Sequence, residues 1–251
     1  MSSTAIGLIV FSCVFGGSLI GIVLRAVVPR HHLDEDSKDV VKLGMGLVGT
    51  MAALVLALLL ASAKESYDAQ STELTQVSAS IVVFDRVLAH YGSETSEARE
   101  MLRGAVARAL ERMWPQNHRQ PAGLEPASSV NERLYEEIQA LSPKDDVQRS
   151  LKSQALEMAM SFGQTRWLIY EQQTASVSNA LVIVMIFWLT IVFVSWGLFA
   201  PSNGTVIATF FVTALSVSGA IFLILEMYNP YGGLIRISSA PLQAALAHLG
   251  Q

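Results

Sequence analysis

Five histidines and one cysteine are the side chains best suited to bind a metal or attack a substrate, so the question of chemistry starts with them. His31 and His32 open the segment HHLDEDSKD (31–39), which also holds Asp34 and Asp36. Imidazole and carboxylate donors suit zinc or manganese, which makes these four residues the one metal-site candidate. The alternative, and the preferred reading, is a solvated loop at a membrane surface whose acids stand at the start of the next helix. His90, His118 and His248 are isolated in the chain. Cys13 has no second cysteine to pair with and lies inside an apolar run. There is no phosphate-cradling glycine loop, no His-Glu-x-x-His and no nucleophile elbow. The chain reads as a non-enzyme, with no cofactor and no metal expected.

Three quieter patterns remain. Gly17 and Gly21 form a small-xxx-small pair, and Gly46, Thr50, Ala53, Ala57 and Ala61 give another stretch a small-residue face. Such faces let helices approach closely in lipid, either within one bundle or between subunits. Thr205, Thr209, Thr213 and Ser216 share one helical face. They could line a wet path, but hydroxyls in a span commonly bond to their own backbone or a neighbouring helix. Glu226 and Arg236 flank the turn LILEMYNPYGGLIRIS (223–238), with Pro230 and Gly233 between them, and read as a clamp on the exit of the preceding helix.

These patterns need elements to carry them, and composition says which. Of 251 residues, 51% are hydrophobic and 15% charged, against a usual charged share of about a quarter. Mean hydropathy is +0.41. Residues 1–24, 43–63 and 172–225 carry no Asp, Glu, Lys or Arg. About 20 apolar residues cross a bilayer, so these stretches hold one, one and two spans. The predicted spans are about 5–28, 43–63, 177–200 and 204–225, the last two divided by Pro201-Ser202-Asn203-Gly204. The first run has no positive n-region and is too long for a signal peptide. No ionisable residue sits mid-span, which argues against a proton relay or charge-coupled transporter, whereas a pore of apolar and small residues could gate by dewetting. The composition excludes a soluble enzyme, a secreted disulfide scaffold and a disordered tail. No strongly basic domain is present, so nucleic acid is not an expected partner.

The predicted fold is all-α: an integral membrane protein with four transmembrane helices and a helical stalk domain between the second and third spans. Four segments follow: 1–63, the first transmembrane pair; 64–176, the extramembrane block; 177–225, a transmembrane hairpin; and 226–251, a turn with a short amphipathic helix. The block holds 12 of the 17 basic and 16 of the 21 acidic residues. Leu74, Val77, Ile81, Phe84, Leu88 and Tyr91 recur at alternating spacings of three and four, a helix-packing seam that stops at Gly92. No breaker separates Lys64 from Tyr91, so one helix of about 70 Å is expected from Gly46 onward. A helix over 96–114 presents Met101, Ala105, Ala109 and Met113, and a shorter one carries Val130, Leu134, Ile138 and Leu141. Ser142-Pro143 marks a helix start that leads without a breaker into the third span. Leu242, Leu246 and Leu249 share one side of the last helix.

HHLDEDSKDVV (31–41), GLVGTMAALVLALLLASAKESYD (46–68), FDRVLAHYGSETSEAR (84–99) and the 223–238 turn together resemble the bestrophin-like family of bacterial membrane proteins, a domain of unknown function. The resemblance implies four spans with a helical block between the second and third. It further suggests a homo-oligomeric channel for small ions, anions slightly favoured, in the inner membrane, with the second span along the pore. The aligned pore-lining candidates are Gly46, Gly49, Thr50, Ala53 and Leu56. They depart from the aromatic, tight neck of bestrophins, and no acidic calcium clasp is present, so calcium gating does not carry over. The alternative is a non-conducting scaffold or sensor whose stalk seam binds a partner protein. Arg25, Arg30, Lys38 and Lys42 put the first loop inside by the positive-inside rule. Bestrophin orientation instead places the polar block in the cytoplasm, and that orientation is adopted.

Overall fold

The computed structural model describes residues 2–29, 35–115, 129–174 and 179–251. Every regular element among them is a helix: α1 (Ser3–Val27), α2 (Glu35–Tyr91), α3 (Ser96–Met113), α4 (Ser129–Ala140), α5 (Asp146–Thr174), α6 (Asn179–Phe199), α7 (Gly204–Met227) and α8 (Ala240–His248). Four of them, α1, α2, α6 and α7, are long and apolar enough to cross a membrane. The chain divides into two compact units, 1–66 with 176–228, and 67–175 with 229–251.

In the first unit, α1 packs on α6 through glycines and on α7 through aromatic rings. Gly17 lies against Thr190 and Val194, and Gly21 against Val194, Gly197 and Leu198, so α1 and α6 run parallel. Gly7 meets Phe222, while Phe11 and Phe15 meet Phe211 edge-on at 5.4 and 5.6 Å, so α7 runs antiparallel to α1. Val10, Val14, Phe193, Phe210, Ala214 and Ile221 fill the space between the three helices. Ser12, Ser18 and Thr190 bond within their own helices, donating to carbonyls three or four residues back. Among the described residues of this unit three helix ends are capped by side chains, α1 by Ser2, which accepts from the Ala5 N–H at 3.3 Å. Asn203 accepts from the Val206 N–H to start α7, and the Arg25 guanidinium donates to the Ala200 carbonyl just past α6, where a cation meets the negative end of the helix.

In the second unit, the seam on α2 is the core. Ile81, Phe84 and Leu88 are buried with Leu102 and Val106 of α3, Ile138 of α4, Ala155 of α5 and Leu242 of α8. Phe84 meets Phe162 edge-on at 5.4 Å. The seam ends as its composition requires: Gly92 takes φ +136°, a region that L side chains rarely adopt, and Thr95 Oγ1 donates to the carbonyls of Leu88 and Gly92.

Two details differ from the sequence-based expectation, and a third falls outside the described residues. On α3, Met113 of the expected face is buried while Met101, Ala105 and Ala109 are half-buried, and Ala98, Leu102 and Val106 are buried as well. The covered face is broader than expected, because the bulkier Leu102 and Val106, one position on, are also packed inward. The start of α5 lies at Asp146 rather than at Ser142-Pro143. The Asp145 carboxylate accepts from the Gln148 N–H at 2.7 Å and captures the cap, leaving Pro143 outside the helix. The expected unbroken passage from α5 into the third span falls at 175–178, outside the described residues.

Candidate functional site

The apolar part of α2 has three faces. Val41, Met45, Val48, Ala52, Leu56, Leu59 and Ala63 turn toward the rest of their unit and are buried or half-buried, with Leu56 against the core of α1, α6 and α7. About 140° around the helix, at 3.6 residues per turn, Gly46, Thr50, Ala53, Ala57 and Ala61 are all exposed. Beside them runs a bulky exposed strip of Leu43, Leu47, Leu54 and Leu58. Only 6% of the most apolar stretch of α2 is buried, against 28% in each of the other three apolar helices. The chain itself therefore leaves the small-residue face of α2 uncovered. Of the five pore-lining candidates, Gly46, Thr50 and Ala53 lie on this face, whereas Gly49 is half-buried and Leu56 packs inward. The Thr50 hydroxyl donates to the Gly46 carbonyl at 2.9 Å, so even this residue presents mainly its methyl group.

The hydroxyl stripe on α7 resolves in the same way. Thr209, Thr213 and Ser216 donate to the carbonyls of Thr205, Thr209 and Val212 at 2.8–2.9 Å. Each hydroxyl hydrogen is engaged within the helix rather than offered to a wet path.

The turn after α7 is built by its own backbone. Gly232 and Gly233 donate to the Asn229 carbonyl, Ile237 donates to Pro230 at 2.9 Å, and the Arg236 Nε donates to Gly233 at 2.7 Å. Glu226 is buried in the first unit, while Arg236 is exposed in the second and folds back on its own turn. Residues flanking this turn are held from α2 and α3: Tyr67 donates its hydroxyl to Arg236 O at 3.2 Å, and Trp114 Nε1 donates to Ile237 O at 2.9 Å. Tyr231 is buried edge-on to Trp114. Burial, reinforced by the Glu73 carboxylate, pushes its phenol up to about 12, so it stays neutral at physiological pH.

Other features had no forewarning in the sequence. Gly197 is the counterpart of Gly21 across the α1–α6 contact. Asp85, buried on the seam, takes a bidentate pair of hydrogen bonds from Arg99 at 2.7 and 2.8 Å. Among the described residues no group of three His, Cys, Asp or Glu side chains is placed to hold a metal. His31, His32 and Asp34 lie outside the described residues, as does the side chain of Asp36.

A family model, the Bestrophin-like domain, matches residues 12–242, nearly the whole chain. The chain belongs to the Bestrophin-like family. Neither a curated protein nor a solved structure matches it. The match takes in all of the exposed small-residue face of α2, the glycine contact between α1 and α6, and the turn after α7. For a Bestrophin-like chain these are the places to look for function, and the family suggests a membrane channel-type function.

Proposed function

We propose that this Bestrophin-like chain assembles into a homo-oligomeric channel for small ions, with the exposed small-residue face of α2 turned toward the axis. The observation that carries the reading is that α2 has the smallest buried share of the four apolar helices, 6% of its most apolar stretch against 28% in each of the others, with its small-residue face exposed. Family membership supports a channel, and small side chains at an axis leave room for an ion between copies. The alternation of parallel α1 and α6 with antiparallel α7 fits a chain that crosses a membrane four times. We place it in the inner membrane with the polar block in the cytoplasm, and favour anions. The alternative of a partner-binding stalk drew on the seam of α2, but Leu74, Ile81, Phe84 and Leu88 are buried within their own unit. A partner protein would have to bind elsewhere.

The test begins with native mass spectrometry of the purified protein, where a ring of several subunits is expected. Reconstituted in liposomes, Gly46→Trp and Ala53→Trp should change ion flux several-fold while the ring persists. Ala52→Trp, on the buried face, should instead impair folding. A monomer or simple dimer, or flux indifferent to both exposed-face tryptophans, would remove the pore assignment. Thr209→Val and Thr213→Val provide a contrast. Because those hydroxyls already bond to their own backbone, flux should stay within experimental scatter of the parent, and a strong loss would return the α7 stripe to the pore.

A further inference from the structure

The second unit holds a partly open, largely apolar pocket of about 140 Å³ among α2, α3, α4, α5 and α8. Its walls include Leu74 and Ile81 of α2, Ala105 and Ala109 of α3, Phe162 of α5 and Leu242 of α8, and among the described residues Thr165 is the one polar side chain in the lining. Walls with so few polar groups hold water weakly, and an apolar space of roughly 150 Å³ lined by Leu, Ile and Phe has room for benzene or xenon. The space exists because alanines from two helices, Ala105 and Ala109 on α3 and Ala159 on α5, face it together.

The α8 wall is held by the Gly250 N–H, which donates to Asp85 at 3.2 Å, and by Arg99, which donates to Gln251 O at 3.4 Å. Preformed, largely apolar concavities are where small molecules bind. We infer that this pocket is a binding site for one small apolar molecule of benzene to toluene size, without charge and without a need for more than one hydrogen bond. The site is independent of the channel reading, since it lies wholly within the second unit.

Fluorobenzene, followed by its fluorine resonance, is the probe, added to the full-length protein in lipid nanodiscs. Empty nanodiscs and nanodiscs holding the cavity-filling variants Ala109→Phe and Ala159→Phe share the same lipid background. The wild type should show saturable line broadening beyond that background, displaced by benzene and abolished in both filled variants. Benzene should also raise the unfolding temperature of the wild type and not that of a filled variant. Should a filled variant fail to fold, Leu242→Ala serves instead, widening the cavity and admitting p-xylene more readily than the wild type does. Broadening equal to that of empty nanodiscs, or unchanged by filling, would overturn the assignment.

Discussion

Replacing Gly21 or Gly197 by alanine is expected to destabilise the protein strongly, and by leucine to prevent α1 and α6 from pairing at all. A Cβ on Gly21 would lie 2.1 Å from the Val194 carbonyl oxygen and 2.8 Å from the Leu198 nitrogen. A Cβ on Gly197 would lie 2.1 Å from the Ser18 carbonyl oxygen. These are backbone atoms, so no rotamer change relieves the clash and the helices must separate. In lipid the hydrophobic effect does not hold helices together, and the contacts that close approach permits are what would be lost. Overpacking in a core costs about 1–3 kcal/mol, and a clash with rigid backbone belongs at or above the top of that range. Gly17 is an internal calibration, because its Cβ would meet Thr190 and Val194 at 3.2–3.3 Å, a milder conflict. Gly16 has open space, and Gly16→Ala should be neutral or gain up to about 1 kcal/mol from helix propensity. Thermal unfolding of the four alanine variants in detergent should therefore rank Gly16 above Gly17, with Gly21 and Gly197 lowest. If Gly21→Ala melts with the wild type, the α1–α6 contact is not as close as described.

The difference between what could and could not be read from the chain follows from this contact. Gly17 and Gly21 announced a close-packing face by their spacing, because a repeat every four residues is a property of one helix. Their partner, Gly197, is a lone glycine among bulky residues, and which helix meets which face is a tertiary fact with no local period. The four apolar helices were legible for the same local reason: runs without charge, interrupted by Pro201 and Gly204. The seam from Leu74 to Tyr91 was legible as a face to be covered, but not as one covered by α3, α4, α5 and α8 of the same chain. On α2, the five candidate positions rest on the resemblance to bestrophins, and only the burial pattern separates Gly46, Thr50 and Ala53 from Gly49 and Leu56. Asp85 escaped notice because the seam was read through its apolar members, and Arg99 lies 14 residues on, beyond the turn at Gly92.

That buried pair carries the second large effect. The Asp85 side chain is 2% exposed, receives Arg99 Nε and Nη2 in parallel, and accepts a third hydrogen bond from the Gly250 N–H. Arg99→Met would leave a carboxylate buried with its main partner gone. Removing one member of a buried pair costs about 3–5 kcal/mol, whereas replacing both by apolar residues of similar size is often neutral. The double variant Asp85→Leu/Arg99→Leu should therefore unfold at a higher temperature than Arg99→Met alone. The reverse order would mean that the pair is not a buried, mutually dependent one. The pH dependence has a definite sign. Burial alone would raise the Asp85 pKa, but the Arg99 hydrogen bonds, the Gly250 N–H and the Arg99 charge together hold it below the ordinary 3.8. A carboxylate whose pKa is lower in the folded state is deprotonated in both states above that value, so its contribution is complete there. As pH falls below 3.8 the unfolded chain takes up the proton first, and the contribution fades until the folded carboxylate is protonated as well. The wild type should thus lose stability below about pH 4 more steeply than the double variant, a difference read directly from paired melts. Since the same carboxylate accepts from Gly250, hydrogen exchange in α8 should quicken in Arg99→Met under native conditions. Unaltered exchange there would separate the ion pair from the anchoring of the C-terminal helix.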